Sequence, residues 1–97
     1  MHSIDFEKTA ALFKVFGDAT RLRILYALAQ KEQCVRDLTE SLSLSQSVVS
    51  HQLTTLRQNK LVRTRRDGKS IIYALDDDHV KQIMEIGFEH VFESFES

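Results

Sequence analysis

The chain has 97 residues, 42% of them hydrophobic and 28% charged, and at roughly 100–200 residues per domain it has room for only one, which excludes a large enzyme. A chain this short buries about 60–65% of the surface its unfolded form exposes, so pairing with a second copy is a direct way to enlarge a small core. The formal net charge of −1 argues on its face against a nucleic-acid partner, yet it conceals a segregation. Residues 57–69 carry Arg57, Lys60, Arg63, Arg65, Arg66 and Lys69 against Asp67 alone, whereas residues 76–97 carry Asp76, Asp77, Asp78, Glu85, Glu89, Glu93 and Glu96 against Lys81. Such a split assigns one surface to an anionic polymer and another to different work.

Three glycines and no proline, with apolar residues spread throughout, predict that the whole chain folds as a single unit, 1–97. The longest purely apolar run, Ile24 to Ala29, is far short of the roughly 20 residues that span a bilayer. No cationic start followed by an apolar stretch suggests a signal peptide, so a soluble, cytoplasmic protein without a membrane partner is expected. The single cysteine, Cys34, fits a reducing compartment.

From Asp5 to Phe16 the residues Phe6, Ala10, Phe13 and Phe16 recur at three- and four-residue steps, the spacing of one helix face, and Gly17 is placed to end the helix. Asp18 suits the N-cap of a second helix reaching about Gln30, with Leu22, Leu25, Leu28 and Ala29 inward. A third, short helix runs from Cys34 or Val35 to Leu42 and buries Val35, Leu38 and Leu42. After the turn Ser43-Leu44-Ser45, a fourth runs from about Gln46 to Gln58, capped by Ser45, with Val48, Val49, Leu53 and Leu56 available to the core. The third and fourth helices form a helix-turn-helix. Leu61 to Arg66 and Ser70 to Leu75 flank Asp67-Gly68, which signals a hairpin. Asp76 or Asp77 then caps a last helix to about Phe92, whose Val80, Ile83, Met84, Gly87, Phe88, Val91 and Phe92 make a broad apolar band. The expected class is mainly α with a β-hairpin wing (α+β): a winged helix-turn-helix, dimerising through its N- and C-terminal helices.

Gln46, Ser47, Ser50, His51 and Arg57 on the polar face of the fourth helix carry the donors and acceptors that meet base edges and phosphates in double-stranded DNA. Arg65, Arg66 and Lys69 put cations on the wing, where they would neutralise phosphates. A dimer would space two such reading heads across a two-fold operator.

The acidic last helix holds a second pattern. His79 and His90 are eleven residues apart, nearly on one face but about 16 Å apart along the axis, so one helix cannot close both around one ion. His90 and Glu93 form an i, i+3 pair, and Asp77 with His79 straddles the helix start. If two such helices pack antiparallel, Asp77 and His79 of one chain meet His90 and Glu93 of the other. The two resulting symmetric sites, each with two imidazoles and two carboxylates, suit zinc or cobalt. The same residues also read as decoration of an exposed acidic face, and spacing alone does not separate the two.

Three runs of the chain, Phe16 to Leu25, Leu44 to Leu53 and Gly68 to Asp77, resemble the ArsR/SmtB family of bacterial winged-helix metal-sensing repressors, in the same order and across about residues 6 to 93. The resemblance implies a homodimeric repressor that sits on an inverted-repeat operator and leaves when metal binds, releasing metal efflux or sequestration genes. Its zinc-sensing branch uses Asp-x-His, then ten residues, then His-x-x-Glu or His-x-x-His, which Asp77, His79, His90 and Glu93 match. On this reading the regulatory ligand is zinc, with cobalt, cadmium or nickel as alternatives. The thiolate-based branches use Cys-x-Cys where this chain reads Cys34-Val35-Arg36, so a thiolate-rich site is not expected.

A competing input makes Cys34 a redox or reactive-sulfur sensor, with no metal. A winged helix that binds proteins rather than DNA is a rival of another class. An enzyme fares worse: Cys34 has no evident His partner, no Gly-rich phosphate loop is present, and no small organic substrate is implied. His2 receives no role.

Overall fold

A computed structural model describes residues 3–96, so His2 lies outside the described residues. Five helices and one hairpin follow in the order α1 (Phe6–Phe16), α2 (Ala19–Gln30), α3 (Val35–Leu42), α4 (Gln46–Gln58), β1 (Val62–Asp67), β2 (Ser70–Leu75) and α5 (Asp78–Glu96). Local chemistry sets most boundaries. The side chains of Asp5, Asp18 and Ser45 accept from the backbone N–H groups of Lys8, Arg21 and Val48, satisfying donors that a helix start leaves open. Gly17 does end α1, at a negative φ; a Cβ there would stand 3.3 Å from the Lys14 carbonyl oxygen. The end of α4 is unusual. Leu61 N–H donates to the Leu56 carbonyl and Lys60 N–H to that of Arg57, a Schellman closure whose left-handed position, φ 60°, is held by Lys60 where glycine is customary.

The core gathers Ile24, Leu25 and Leu28 of α2, Leu38 of α3, and Val49, Leu53 and Leu56 of α4, with Val15, Phe16, Leu61, Val62, Val80 and Met84 around them. Leu42 and Val35 are only half-buried. Phe6 and Phe13, on the apolar face expected of the first helix, are 76% and 56% exposed, while α1 turns Val15, Phe16 and half-buried Leu12 inward. One expectation changes here, in α4. Val48 is 40% exposed; on a helix it stands about 100° from its fully buried neighbour Val49, beyond the stripe that Val49, Leu53 and Leu56 define.

The hairpin is antiparallel, with Val62 opposite Leu75 and Asp67 opposite Ser70. The turn is therefore Gly68-Lys69, one residue later than expected, and Gly68 at φ 64° takes the left-handed position. Gln33, in the link between α2 and α3, adds a bridge to Tyr73 through paired backbone hydrogen bonds of 2.9 and 3.0 Å, tying the wing to the body. The last helix runs about one turn beyond the expected end. Among the described residues no helix is long and apolar enough to cross a membrane.

Candidate DNA-reading face and metal centre

Ser45 starts α4, its hydroxyl accepting from Val48 N–H at 3.2 Å. From that start the helix presents Gln46, Ser47, His51 and Arg57 to solvent, with Ser50 half-buried beside them. Thr54, also exposed, turns its hydroxyl onto the Ser50 carbonyl at 3.0 Å. Exposed Val48 adds a methyl-bearing side chain to this end, of the type that meets a thymine methyl in a major groove. Sequence reading assigned it to the core because hydrophobicity outweighed its phase.

Arg21 seats the helix from behind. Its Nε donates to the Val15 carbonyl at 2.8 Å and its Nη1 to Gln52 Oε1 at 3.3 Å, joining the last turn of α1 to α4. The long-range partner Gln52 carried no sequence signal.

The three wing cations expected to meet phosphate differ in their surroundings. Arg66 and Lys69 are exposed near the tip and, among the described residues, have no ion-pair partner. Arg65 instead pairs with Glu32 of the α2–α3 link. The hydrogen bond and positive charge of Arg65, helped by Arg63, hold the Glu32 carboxyl below the ordinary carboxylate range. Glu32 in turn holds the proton more firmly on Arg65.

At the base of the hairpin, where β2 leads into the last helix, Asp77 caps α5: its Oδ1 accepts from His79 N–H at 2.9 Å and from Val80 N–H at 3.4 Å. Its second oxygen, Oδ2, is left facing His79 Nδ1 at 3.5 Å, with both residues exposed. Metal–ligand bonds of about 2.0–2.2 Å in a tetrahedron place neighbouring donor atoms roughly 3.3–3.6 Å apart. The pair is thus spaced as two corners of such a site. His90 and Glu93 are exposed farther along the same helix. Among the described residues no three His, Cys, Asp or Glu side chains of one chain converge on a metal position, so the four residues do not form a site within one copy.

Between these two ends α5 carries an apolar band. Phe13, Phe16, Leu22, Ile83, Met84, Gly87, Phe88 and Val91 line an open apolar cavity of about 280 Å³, and Tyr26 meets Phe88 edge to face with centroids 5.8 Å apart. Ile86 and Phe92 stand 67% and 66% exposed. Cys34 is half-buried at the start of α3 and makes no side-chain cap; nearby Arg36 donates to Glu40 at 3.3 Å.

Residues 18–64 match the family described as "Bacterial regulatory protein, arsR family". The chain is 41% identical over 88 residues to a transcriptional repressor SmtB homolog of Synechocystis sp., covering 91% of this chain and 67% of that protein. It is 39% identical over 82 residues to a cadmium resistance transcriptional regulatory protein CadC homolog of Staphylococcus aureus, covering 84% and 68%. Against the regulator KmtR of Mycobacterium tuberculosis, 42% identical over 73 residues and 75% of this chain, it spans only 56% of the relative's length. Among solved structures, the AntR antimony-specific transcriptional repressor superposes with a TM-score of 0.82 at 31% identity, covering 100% of this chain and 94% of that one. A homodimeric winged helix-turn-helix DNA-binding domain from Mycobacterium bovis superposes with a TM-score of 0.80 at 25% identity, covering 98% and 94%.

Proposed function

The chain belongs to the bacterial arsR family of transcription regulators, and from that premise we propose that it is a metal-responsive repressor acting in the cytoplasm as a homodimer on double-stranded operator DNA. Residues 1–97 serve as one winged helix-turn-helix unit with pairing helices at both ends. Gln46, Ser47, Ser50 and His51, joined by Val48, meet base edges, while Arg57, Arg66 and Lys69 meet phosphate, as does Arg65 when it leaves Glu32.

The observation that carries the metal input is the Asp77–His79 pair, set by the helix cap at the spacing of neighbouring tetrahedral ligands. A second copy supplies what one chain lacks. The exposed Phe13 of α1 and Phe88 and Val91 of α5 line the cavity between those helices, and with exposed Phe6 and Phe92 they bury against the same residues of that copy. Antiparallel α5 helices then bring Asp77 and His79 of one chain to His90 and Glu93 of the other. These four would hold zinc, with cobalt, cadmium or nickel as substitutes, and the bound ion supplies a crosslink between the two helices. An all-N/O donor set of this kind suits those ions, and the cadmium-resistance relative is consistent with an input of that class.

Metal and DNA compete because each favours a different spacing of the two reading heads, and the factor by which one weakens the other is mutual. The test uses a duplex selected by the wild-type chain from a random pool. Zinc should raise the dissociation constant measured by fluorescence anisotropy; His90→Ala should remove that response and keep metal-free binding. If zinc has no effect on wild type, and a thiol oxidant lowers the DNA affinity of wild type but not of Cys34→Ser, the redox reading replaces this one.

A further inference from the structure

Glu32 and Arg65 are 33 positions apart in sequence, and the fold brings them together by a specific route. The Gln33–Tyr73 bridge extends the hairpin by one rung on the β2 side. In an antiparallel ladder opposed residues share a face and the faces alternate. The register Arg63↔Ala74 and Arg65↔Ile72 therefore puts these four residues on one face, and carrying it across the bridge sets Glu32 beside Ala74 on that face. Ala74 offers only a methyl there. The carboxylate reaches over β2 to the Arg65 guanidinium and lies close enough to Arg63 to feel its charge. The opposite face carries Val62, Tyr73 and Leu75 toward the core, so this ion pair sits on the outer side of the wing, with side chains 55% and 47% exposed.

Resting on the DNA-binding reading above, we infer that Glu32 limits sequence-independent DNA binding by occupying Arg65 in place of phosphate. Carboxylate and phosphate compete for the same guanidinium fork. Phosphate contacts carry affinity without sequence information, and each releases condensed counterions from the duplex. While Arg65 stays with Glu32 it neutralises no phosphate and so releases no counterion from the duplex. Among the described residues Arg66 and Lys69 at the tip have no such competitor, so Arg65 is the restrained one of these three cations.

The experiment is a salt titration of binding to a random-sequence duplex by wild type, Glu32→Gln, Arg65→Gln and the double variant, with thermal melts to verify folding. Glu32→Gln should raise affinity at low salt by roughly threefold to tenfold and steepen the slope of log K against log salt by about 0.9, one phosphate contact. In the Arg65→Gln background the same change should leave the slope unaltered. A fall in affinity on Glu32→Gln would make Glu32 a support of the wing and overturn the inference, as would an equal gain in both backgrounds, which signals long-range charge alone. A wild-type chain that binds no duplex at low salt overturns the DNA reading itself.

Discussion

The α4–wing half of the molecule and the α1–α5 half differ in completeness. In the first, contacts within one chain hold the helix and hairpin that carry the candidate DNA-contacting residues: Ser45 caps the helix, Arg21 fastens it through Gln52, and the Gln33–Tyr73 bridge anchors the hairpin. In the second, large apolar side chains remain exposed and, among the described residues, Asp77 and His79 belong to no group of three metal donors. On the proposed function a reading head is built by one copy whereas the metal input takes two, which would give the ion leverage over the spacing of heads it never touches.

Perturbing the shared core should erase the difference. Leu53→Ala, at a 1% exposed position of α4, should cost about 2–5 kcal/mol of stability in chemical denaturation and weaken DNA and metal binding together. Substitutions on either side should separate the halves. On the reading side, Gln46→Ala or Ser47→Ala should change base preference, by about 1–3 kcal/mol where a bidentate contact is lost. Arg66→Ala or Lys69→Ala should weaken all duplexes alike and make the salt slope shallower by about 0.9 each. On the pairing side, Phe13→Glu leaves the single-chain core intact, so sedimentation should show monomer while thermal unfolding stays cooperative; operator affinity should fall more than random-duplex affinity. The smallest effect is a gain. Lys60→Gly relieves the left-handed strain at the end of α4 and should stabilise the chain by about 1 kcal/mol in the same denaturation assay.

Elements governed by neighbours in sequence were legible before the fold was known. Asp18 and Ser45 cap where a short polar side chain can reach back to a helix start, and Gly68 marks the hairpin to within one residue. Periodicity marks an apolar face without saying what covers it. Phe6, Phe13 and Phe88 have that spacing and stay exposed among the described residues. Long-range polar contacts were invisible for another reason: nothing local distinguishes Glu32 from any surface carboxylate, and only the bridge at Gln33 brings it to Arg65. The reading residues were legible as types, yet Arg65 was indistinguishable from Arg66 until the register was known. The proposed ligands were legible only as two half-sites, and the geometry of one chain leaves them as two half-sites.

The claim that the metal centre is shared between copies is tested most directly by mixing two inactive variants. One carries Asp77→Ala and His79→Ala, the other His90→Ala and Glu93→Ala, and cobalt(II) absorption is followed for each alone and after exchange of subunits. Each mixed pair retains one complete set of four ligands, so the account predicts no tetrahedral cobalt bands from either variant alone and their recovery on mixing, at one ion per mixed dimer. Strong binding by either variant alone, or none after mixing under conditions where wild type binds, would contradict it.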